Sequence, residues 1–373
     1  MSGVLASSRS GFAAGSAPSH GRRLRLMIVD DSMIARAVLS RMVDADGGFE
    51  ISAVAGTAED AIEALGQVRV DVILLDLEMP GAGGLKSIPR ILKAARGAQV
   101  LIVSNLAEEG AEQTVAALAL GAADTMPKPG TSRFNGRFSE ILLAKLRALG
   151  QAHSQPFAVP AQPASPHSPA VHGPAMAHDP LALVAIGAST GGIHALASLF
   201  EALPPRIGVP ILVTQHLPAP FMTVFARQLT TASGRPAMVA EDGMRLAPDQ
   251  IVIAPGDAHL NVDWAGNRLI VRLSKQKVRS CCLPSVDPML ATAGAALGPG
   301  ALGIVLTGMG RDGSEGAARL VAAGGSVIAQ DEPSSAVWGM PRAVVDAGLA
   351  CAVLPPVQIA RKIALRAEEA TCR

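Results

Sequence analysis

A serine flanked by glycines is the first feature of the sequence that suggests catalysis. Residues 187–192 read Gly-Ala-Ser-Thr-Gly-Gly, directly after an apolar run and at the start of a helical pattern. This context is typical of a nucleophile, because glycines allow a tight turn that lifts the hydroxyl of Ser189 clear of a sheet. Free N–H groups at the helix N-terminus would stabilise an oxyanion. The same turn is compatible with an anion-binding loop that performs no chemistry.

A nucleophilic serine needs a general base, and the chain has eight histidines. Five lie in the N-terminal tail or in a proline-rich segment, which leaves His194, His216 and His259. His194 lies five residues after Ser189 on the same predicted helix, roughly 140° around its axis, and therefore faces elsewhere. His259 lies in a β-rich stretch without a clear strand end. His216 follows the apolar run 211–214 and is the favoured base, since its side chain would emerge on the same sheet edge as Ser189.

The acid that orients the base should follow another strand on that edge. The apolar run 302–306 leads into a glycine-rich loop that contains Asp312, which is our choice. Asp257 and Asp287 are alternatives, and Asp287 is expected to cap the helix that follows it. The chain order Ser, His, Asp differs from the Ser, Asp/Glu, His order of α/β-hydrolases, which argues against a lipase-like enzyme.

A second group of polar residues lies in the N-terminal half. Asp30 and Asp31 end the first apolar run, and Asp76 ends the third. Carboxylates that meet at one edge of a parallel sheet repel each other unless a divalent cation lies between them, and oxygen ligands suit Mg²⁺. Asp76 would act as a nucleophile towards a phosphodonor. Ser104 and Lys128 follow the next two runs and would contact the phosphoryl group on Asp76. Each acid alone is compatible with a helix cap or a turn.

Short apolar runs that alternate with helical patterns must position these residues. Strands are predicted at 26–29, 51–54, 72–75, 100–103, 123–126, 183–186, 211–214 and 302–306, and helices at 33–44, 58–67, 85–95, 109–120 and 136–149. Strands that are apolar throughout predict parallel sheets covered on both faces. We therefore predict an α/β protein with two doubly wound parallel-sheet domains, one flavodoxin-like and one Rossmann-like. A β-rich insertion is expected at 236–273.

The 373 residues are enough for two domains. Seven prolines in 150–180 predict a semi-extended linker between a domain at 23–149 and a second at 181–373. Residues 1–22 are expected to form a disordered tail.

Composition excludes several classes of protein. A formal net charge of +1 without a basic stripe argues against a nucleic-acid partner. The uncharged stretch 288–310 is interrupted by Gly-Pro-Gly, so no membrane insertion is expected. Four cysteines without a Cys-x-x-Cys pair predict reduced thiols, and with no secretory signal visible they favour a cytoplasmic protein. A monomer is expected.

The segment from about 24 to 150 resembles the response-regulator receiver family. The resemblance rests on the Asp pair, the Asp-x-x-Met-Pro-Gly motif, Ser-Asn and Lys-Pro. It implies that Asp76 is the phosphoacceptor, that Asp30 and Asp31 hold Mg²⁺ together with Asp76, and that Ser104 and Lys128 sense the phosphoryl group. The implied phosphodonor is a chemotaxis histidine kinase.

The segment from about 181 to 373 is similar to the catalytic domain of chemotaxis protein-glutamate methylesterases. Matching stretches are 186–192, 214–218, 254–257, 284–287, 306–313 and 339–342. The resemblance implies a triad of Ser189, His216 and Asp312, with Thr190 and Met309 lining the site and no cofactor. It implies hydrolysis of glutamyl methyl esters, and deamidation of glutamines, on methyl-accepting chemotaxis receptors. It also implies that the unphosphorylated receiver covers the active site.

The sequence departs from these two families at three places, one in the receiver segment and two in the esterase segment. The region in which family members often carry an aromatic switch residue reads Asp-Thr-Met at 124–126, and the chain has no tyrosine. The usual Pro-Pro-Gly-Phe-Thr is replaced at 218–223, and Cys281-Cys282-Leu283 replaces basic residues. Neither cysteine is predicted to be reactive. Two other functions remain open: a non-enzymatic regulator and a small-molecule serine esterase.

Overall fold

The computed structural model describes residues 22–80, 83–104, 108–128, 136–152, 173–177 and 179–371. The strands of the first sheet are β1 (Leu24–Val29), β2 (Phe49–Ala55), β3 (Val72–Asp76), β4 (Gln99–Ser104) and β5 (Asp124–Pro127). The helices around it are α1 (Met33–Asp44), α2 (Ala58–Gln67), α3 (Gly84–Ala95), α4 (Glu108–Ala119) and α5 (Gly136–Ala152). Each coincides with a sequence-predicted element to within about three residues.

The first sheet has the strand order β2-β1-β3-β4-β5, and all of its pairs are parallel. This is the flavodoxin-like order, in which the functional edge lies at the carboxyl ends of β1 and β3. Every residue of β3 is buried, as a strand covered on both faces requires. Ser32 and Thr57 cap α1 and α2, because their hydroxyls accept backbone N–H groups of the first helical turns.

The second half forms a larger sheet and a hairpin. Its strands are β6 (Leu183–Ala188), β7 (Ile211–Gln215), β8 (Ala237–Val239), β9 (Ile251–Ile253), β10 (His259–Ala265), β11 (Arg268–Ser274), β12 (Ala301–Val305), β13 (Ser326–Gln330) and β14 (Ala352–Leu354). Its helices are α6 (Gly192–Ala202), α7 (Ala219–Ser233), α8 (Val286–Leu297), α9 (Ser314–Ala322), α10 (Met340–Asp346) and α11 (Pro356–Thr371).

Seven parallel strands make up the second sheet, in the order β14-β13-β12-β6-β7-β9-β8. The chain runs from β6 outward in one direction and later returns to β12 on the other side. The strand order therefore reverses between β6 and β12, and such a switch point is where a parallel α/β sheet forms its crevice. Both sheets are of the predicted doubly wound parallel class.

The β-rich stretch at 236–273 is divided differently from the prediction of one insertion. β8 and β9 belong to the main sheet, and only β10 and β11 form a separate antiparallel hairpin. The physical difference is burial: all of Ile251–Ile253 is buried, whereas β10 and β11 carry exposed residues.

The predicted linker is described only at its two ends. α5 continues to Ala152, and residues 173–177 lie against the second sheet, where the Ala177 N–H donates to Ser326 Oγ at 2.8 Å. Residues 153–172, and the predicted tail apart from Arg22, lie outside the described residues. Within the described ranges, no helix has the length and apolar character needed to cross a bilayer.

Candidate active site and phosphorylation site

The pairing of β6 with β7 brings Ser189 and His216 together. Ala188 and Gln215 are the last register partners of these strands, and Ser189 and His216 are the next residues on each. Neighbouring strands lie about 4.8 Å apart, so both residues leave the sheet at the same point of its edge. The His216 N–H donates to the Ala188 carbonyl at 3.1 Å, which continues the ladder into the loop.

Backbone hydrogen bonds fix the turn that carries Ser189. Its N–H donates to the Thr307 carbonyl at 3.0 Å, and its carbonyl accepts from the Gln215 side chain at 2.8 Å. Gly191 has φ +78°, and a Cβ there would lie 2.5 Å from the Cβ of Ala336. Only glycine fits this position, as the tight turn predicted from the sequence requires.

Asp312 holds the imidazole of His216. His216 Nε2 lies 2.8 Å from Asp312 Oδ2, and that carboxylate also accepts from the Ser285 hydroxyl and the Val286 N–H. Burial alone would raise the pKa of Asp312, but the hydrogen bond and charge of His216, with help from Ser285 and Val286, hold it well below its usual range. Asp312 therefore stays ionised and is suited to stabilise an imidazolium.

Nε2 is engaged by Asp312, so Nδ1 is the nitrogen left to accept a proton from Ser189. The Ser189 hydroxyl makes no hydrogen bond with another described residue. The structure therefore shows no hydrogen bond between the Ser189 hydroxyl and His216, and in proteins without a bound substrate the hydrogen bonds of catalytic pairs are often long.

The alternative histidines are engaged elsewhere. His259 is buried, with Nε2 2.8 Å from the Gln276 carbonyl and Nδ1 accepting from the Ser285 N–H at 3.0 Å, so both nitrogens are used. His194 is exposed on α6. Neither histidine shares the sheet edge with Ser189 as His216 does.

The two alternative acids also have other partners. Asp257 is exposed and pairs with Lys275 at 2.7 Å. The expectation that Asp287 caps the following helix is wrong: Ser285 is the cap of α8. Ser285 has the extended backbone that a cap needs, and Asp287 already lies in the first turn, where its carboxylate accepts from the Gly316 N–H at 2.7 Å. Burial and nearby Asp312 raise the pKa of Asp287 to about 6.

The first domain covers Ser189. The cavity at Ser189 measures only about 10 Å³ and is shared with Leu118, Ala123 and Asp124 of the first domain. The Gly191 N–H donates to the Ala123 carbonyl at 2.6 Å. A substrate has no room at Ser189 in this arrangement.

Thr190 and Met309, expected to line the site, lie on different sides of it. Thr190 is buried, and its hydroxyl donates to the Asp124 carboxylate, which also pairs with Lys145 of α5. Met309 is 39% exposed and lines an open cavity of about 600 Å³ together with Asp312. No pattern in the sequence indicates the role of Ala123 or Asp124, because that role depends on how the two domains dock.

The acids of the first domain meet as predicted. Carboxylate oxygens of Asp30, Asp31 and Asp76 all lie within 4.8 Å of one another. Lys128 Nζ lies 2.6 Å from Asp76 and 3.5 Å from Asp30. Burial raises the pKa of Asp76, and the hydrogen bond from Lys128 only partly offsets this shift. Burial alone would lower the pKa of Lys128, but its hydrogen bond to Asp76 raises that pKa. This oxygen-only set fits Mg²⁺, whose charge would offset the crowded carboxylates.

Ser104 lies at the end of β4, beside this cluster in the sheet order. Its hydroxyl is 2.7 Å from that of Thr114, so it is held by α4. Ser104 also pairs in register with Pro127, the residue before Lys128. Both residues predicted to sense a phosphoryl group therefore lie at the carboxyl ends of neighbouring strands, at the same edge as Asp76.

Comparison with known proteins gives two family matches. Residues 26–134 match the response regulator receiver domain, and residues 184–363 match the CheB methylesterase. A protein-glutamate methylesterase/protein-glutamine glutaminase of Paramagnetospirillum magneticum is 39% identical over 360 residues, which cover 90% of this chain and 94% of that protein. Another from Caulobacter vibrioides is 41% identical over 347 residues, covering 92% and 99%.

Among solved structures, the crystal structure of the Thermotoga maritima CheB methylesterase catalytic domain is 35% identical. The match covers 50% of this chain and 99% of the Thermotoga maritima chain, with a TM-score of 0.49.

Proposed function

The chain belongs to the CheB methylesterase family, with an N-terminal response regulator receiver domain, and from this we propose that it is a phosphorylation-activated protein-glutamate methylesterase. It hydrolyses glutamyl methyl esters, and deamidates glutamines, on the cytoplasmic helices of methyl-accepting chemotaxis receptors. The observation that carries the proposal is the convergence of Ser189, His216 and Asp312 at one edge of the second sheet, beneath the receiver.

The proposed reaction is acyl transfer to a serine. Ser189 attacks the ester carbonyl while His216 Nδ1 accepts the hydroxyl proton, and Asp312 holds Nε2–H and stabilises the imidazolium. The N–H groups that follow Ser189, including that of Gly191, stabilise the oxyanion. His216 then returns the proton to the departing methanol, or ammonia in deamidation. Water then attacks the acyl-enzyme while His216 Nδ1 accepts its proton, and His216 returns that proton to the Ser189 oxygen as the glutamate carboxylate leaves.

The receiver supplies regulation. A histidine kinase transfers a phosphoryl group to Asp76, and Lys128 and Ser104 contact it. Asp30, Asp31 and Asp76 would hold Mg²⁺, which would neutralise charge on the phosphoryl oxygens.

In the closed arrangement the receiver blocks access of substrate to Ser189 and also occupies one of the groups proposed to take part in the reaction. The Ala123 carbonyl accepts a hydrogen bond from the Gly191 N–H, which is one of the proposed oxyanion donors. Asp124 begins β5 and Lys128 directly follows its last residue, so a shift of Lys128 toward a phosphoryl group would move the strand that carries the closing contacts. This route needs no aromatic switch residue. Phosphorylation of Asp76 then favours the open arrangement.

Methanol release from methylated receptor membranes tests this function. We expect the wild-type chain to release methanol, and a small phosphodonor with Mg²⁺ to raise the rate about 5- to 100-fold, the range of ordinary coupling energies. Asp76→Asn should keep the basal rate and lose the increase. Hydrolysis of a small ester without any methanol release from receptors would instead favour a small-molecule esterase.

Removing the charge of Asp124 should open the enzyme without phosphorylation. Asp124→Asn weakens the contacts with Thr190 and Lys145, so we expect basal methanol release to rise about fivefold or more. Asp46→Asn is the matched control, because Asp46 also pairs with a residue of α5, Arg147, and is not among the contacts with the second domain. Equal basal rates in the two variants would contradict the assigned role of Asp124.

A further inference from the structure

A cysteine lies beside the histidine and the acid of the proposed triad. A ring nitrogen of His216, the Sγ of Cys282 and a carboxylate oxygen of Asp312 all lie within 4.8 Å of one another. The three residues come from separate loops, after β7, before α8 and after β12, so the fold brings them together. The proposed reaction uses two of them and leaves the thiol without a role.

We propose that His216, Cys282 and Asp312 form a binding site for a divalent cation of the Zn²⁺ type, and that its occupation inhibits the esterase. Imidazole, thiolate and carboxylate are the ligand types of zinc, and three protein ligands leave a fourth position for water. The thiolate disfavours Mg²⁺ and Ca²⁺, which prefer oxygen. The site is therefore distinct in its ligands from the oxygen cluster around Asp76.

An ion can reach this site while the receiver covers Ser189. Cys282 and Asp312 line the open cavity of about 600 Å³, on the side of Met309. Ser189 lies in the separate cavity of about 10 Å³ beneath the receiver. Cys282 is partly exposed, so its sulfur is available from that open side.

The charges at the site favour a cation. Asp312 is ionised, and Asp287 lies close enough to influence it. A bound cation would displace the thiol proton of Cys282, since zinc coordinates the thiolate, and would compensate the carboxylates. Two arginines also line the cavity: Arg279, which pairs with Glu315, and Arg311, the residue before Asp312.

A cation bound at this site would prevent His216 from acting as the general base. Nε2 of His216 faces Asp312, so it is the nitrogen placed to bind the ion in exchange for its present hydrogen bond. A neutral imidazole that binds metal through Nε2 carries its proton on Nδ1. Nδ1 is then a donor and no longer accepts the proton of Ser189. Inhibition follows without any blockage of the Ser189 side.

Zinc titration of ester hydrolysis tests the site. The full chain is assayed in excess Mg²⁺, and each variant is normalised to its own rate without Zn²⁺. Cys282→Ser should raise the half-inhibiting Zn²⁺ concentration at least tenfold. Cys281→Ser is the matched control, because Cys281 is an exposed neighbouring thiol whose Sγ is directed to the Arg279 carbonyl. The same half-inhibiting concentration in Cys282→Ser and wild type would overturn the proposal.

Two binding measurements do not depend on activity. Co²⁺ should give a thiolate-to-cobalt charge-transfer band with wild type and Cys281→Ser and none with Cys282→Ser. In the wild-type chain, Zn²⁺ should slow alkylation of Cys282 more than that of Cys281, measured by mass spectrometry, which is informative even if the variant fails to fold. A band that persists in Cys282→Ser, or equal alkylation of Cys282 with and without Zn²⁺, would refute the site.

Discussion

Replacing Ser189 with alanine should lower methanol release by about 10⁴-fold or more, since loss of a nucleophile removes the whole covalent route. The fold should be retained, because the turn depends on hydrogen bonds of the Ser189 backbone to the Thr307 carbonyl and the Gln215 side chain and not on the Ser189 hydroxyl. Steady-state kinetics with methylated receptor, together with thermal unfolding of the variant, measure both effects.

Ser198→Ala is the matched control for the nucleophile. Ser198 lies on α6, and its hydroxyl donates to the His194 carbonyl within the same helix. It should retain nearly the wild-type rate. Phosphorylation of Asp76 by a small phosphodonor should be normal in both variants. A Ser189→Ala protein that keeps its signalling output, with no measurable hydrolysis in the wild type, would instead support a non-enzymatic regulator.

The second large effect is expected from Asp312→Asn. An amide does not carry the charge that stabilises the imidazolium, and it favours the wrong tautomer of His216, so kcat should fall about 10³- to 10⁴-fold. The Ser285 hydroxyl and the Val286 N–H also lose their carboxylate acceptor. The free energy of unfolding should therefore fall by about 1–3 kcal/mol, measured by urea denaturation.

Asp287→Asn separates the role of Asp312 from that of general negative charge. Asp287 is the neighbouring acid, and its carboxylate accepts from the Gly316 N–H and not from His216. We expect its effect on kcat to be at least 100-fold smaller than that of Asp312→Asn. Comparable losses in the two variants would show that Asp312 does not act through His216.

The two sheets and their functional edges could be predicted from the sequence because strong local patterns determine them. Runs such as 72–75 and 302–306 are apolar throughout, so they predict buried parallel strands. The polar residues that follow such strands must then share an edge, which is why the sequence predicts that Ser189, His216 and Asp312 meet although they come from three distant segments.

Features that depend on tertiary context could not be predicted from local sequence patterns. Ser285 and Asp287 are both good capping residues, and only the backbone angles decide that the serine is the cap. β8 and β9 are only three residues long, too short to show whether they join the main sheet. The bond from Gly191 to Ala123 joins two domains far apart in sequence, and neither residue has a side chain that indicates a partner.

That bond has a thermodynamic consequence. The receiver and any ligand that places a negative oxygen at Ser189 compete for the same Gly191 N–H, so the two events are linked. If phosphorylation of Asp76 strengthens binding of such a ligand by a given factor, the ligand must stabilise the phosphorylated receiver by the same factor. Receptor occupancy would thereby feed back on the equilibrium stability of the phosphorylated form.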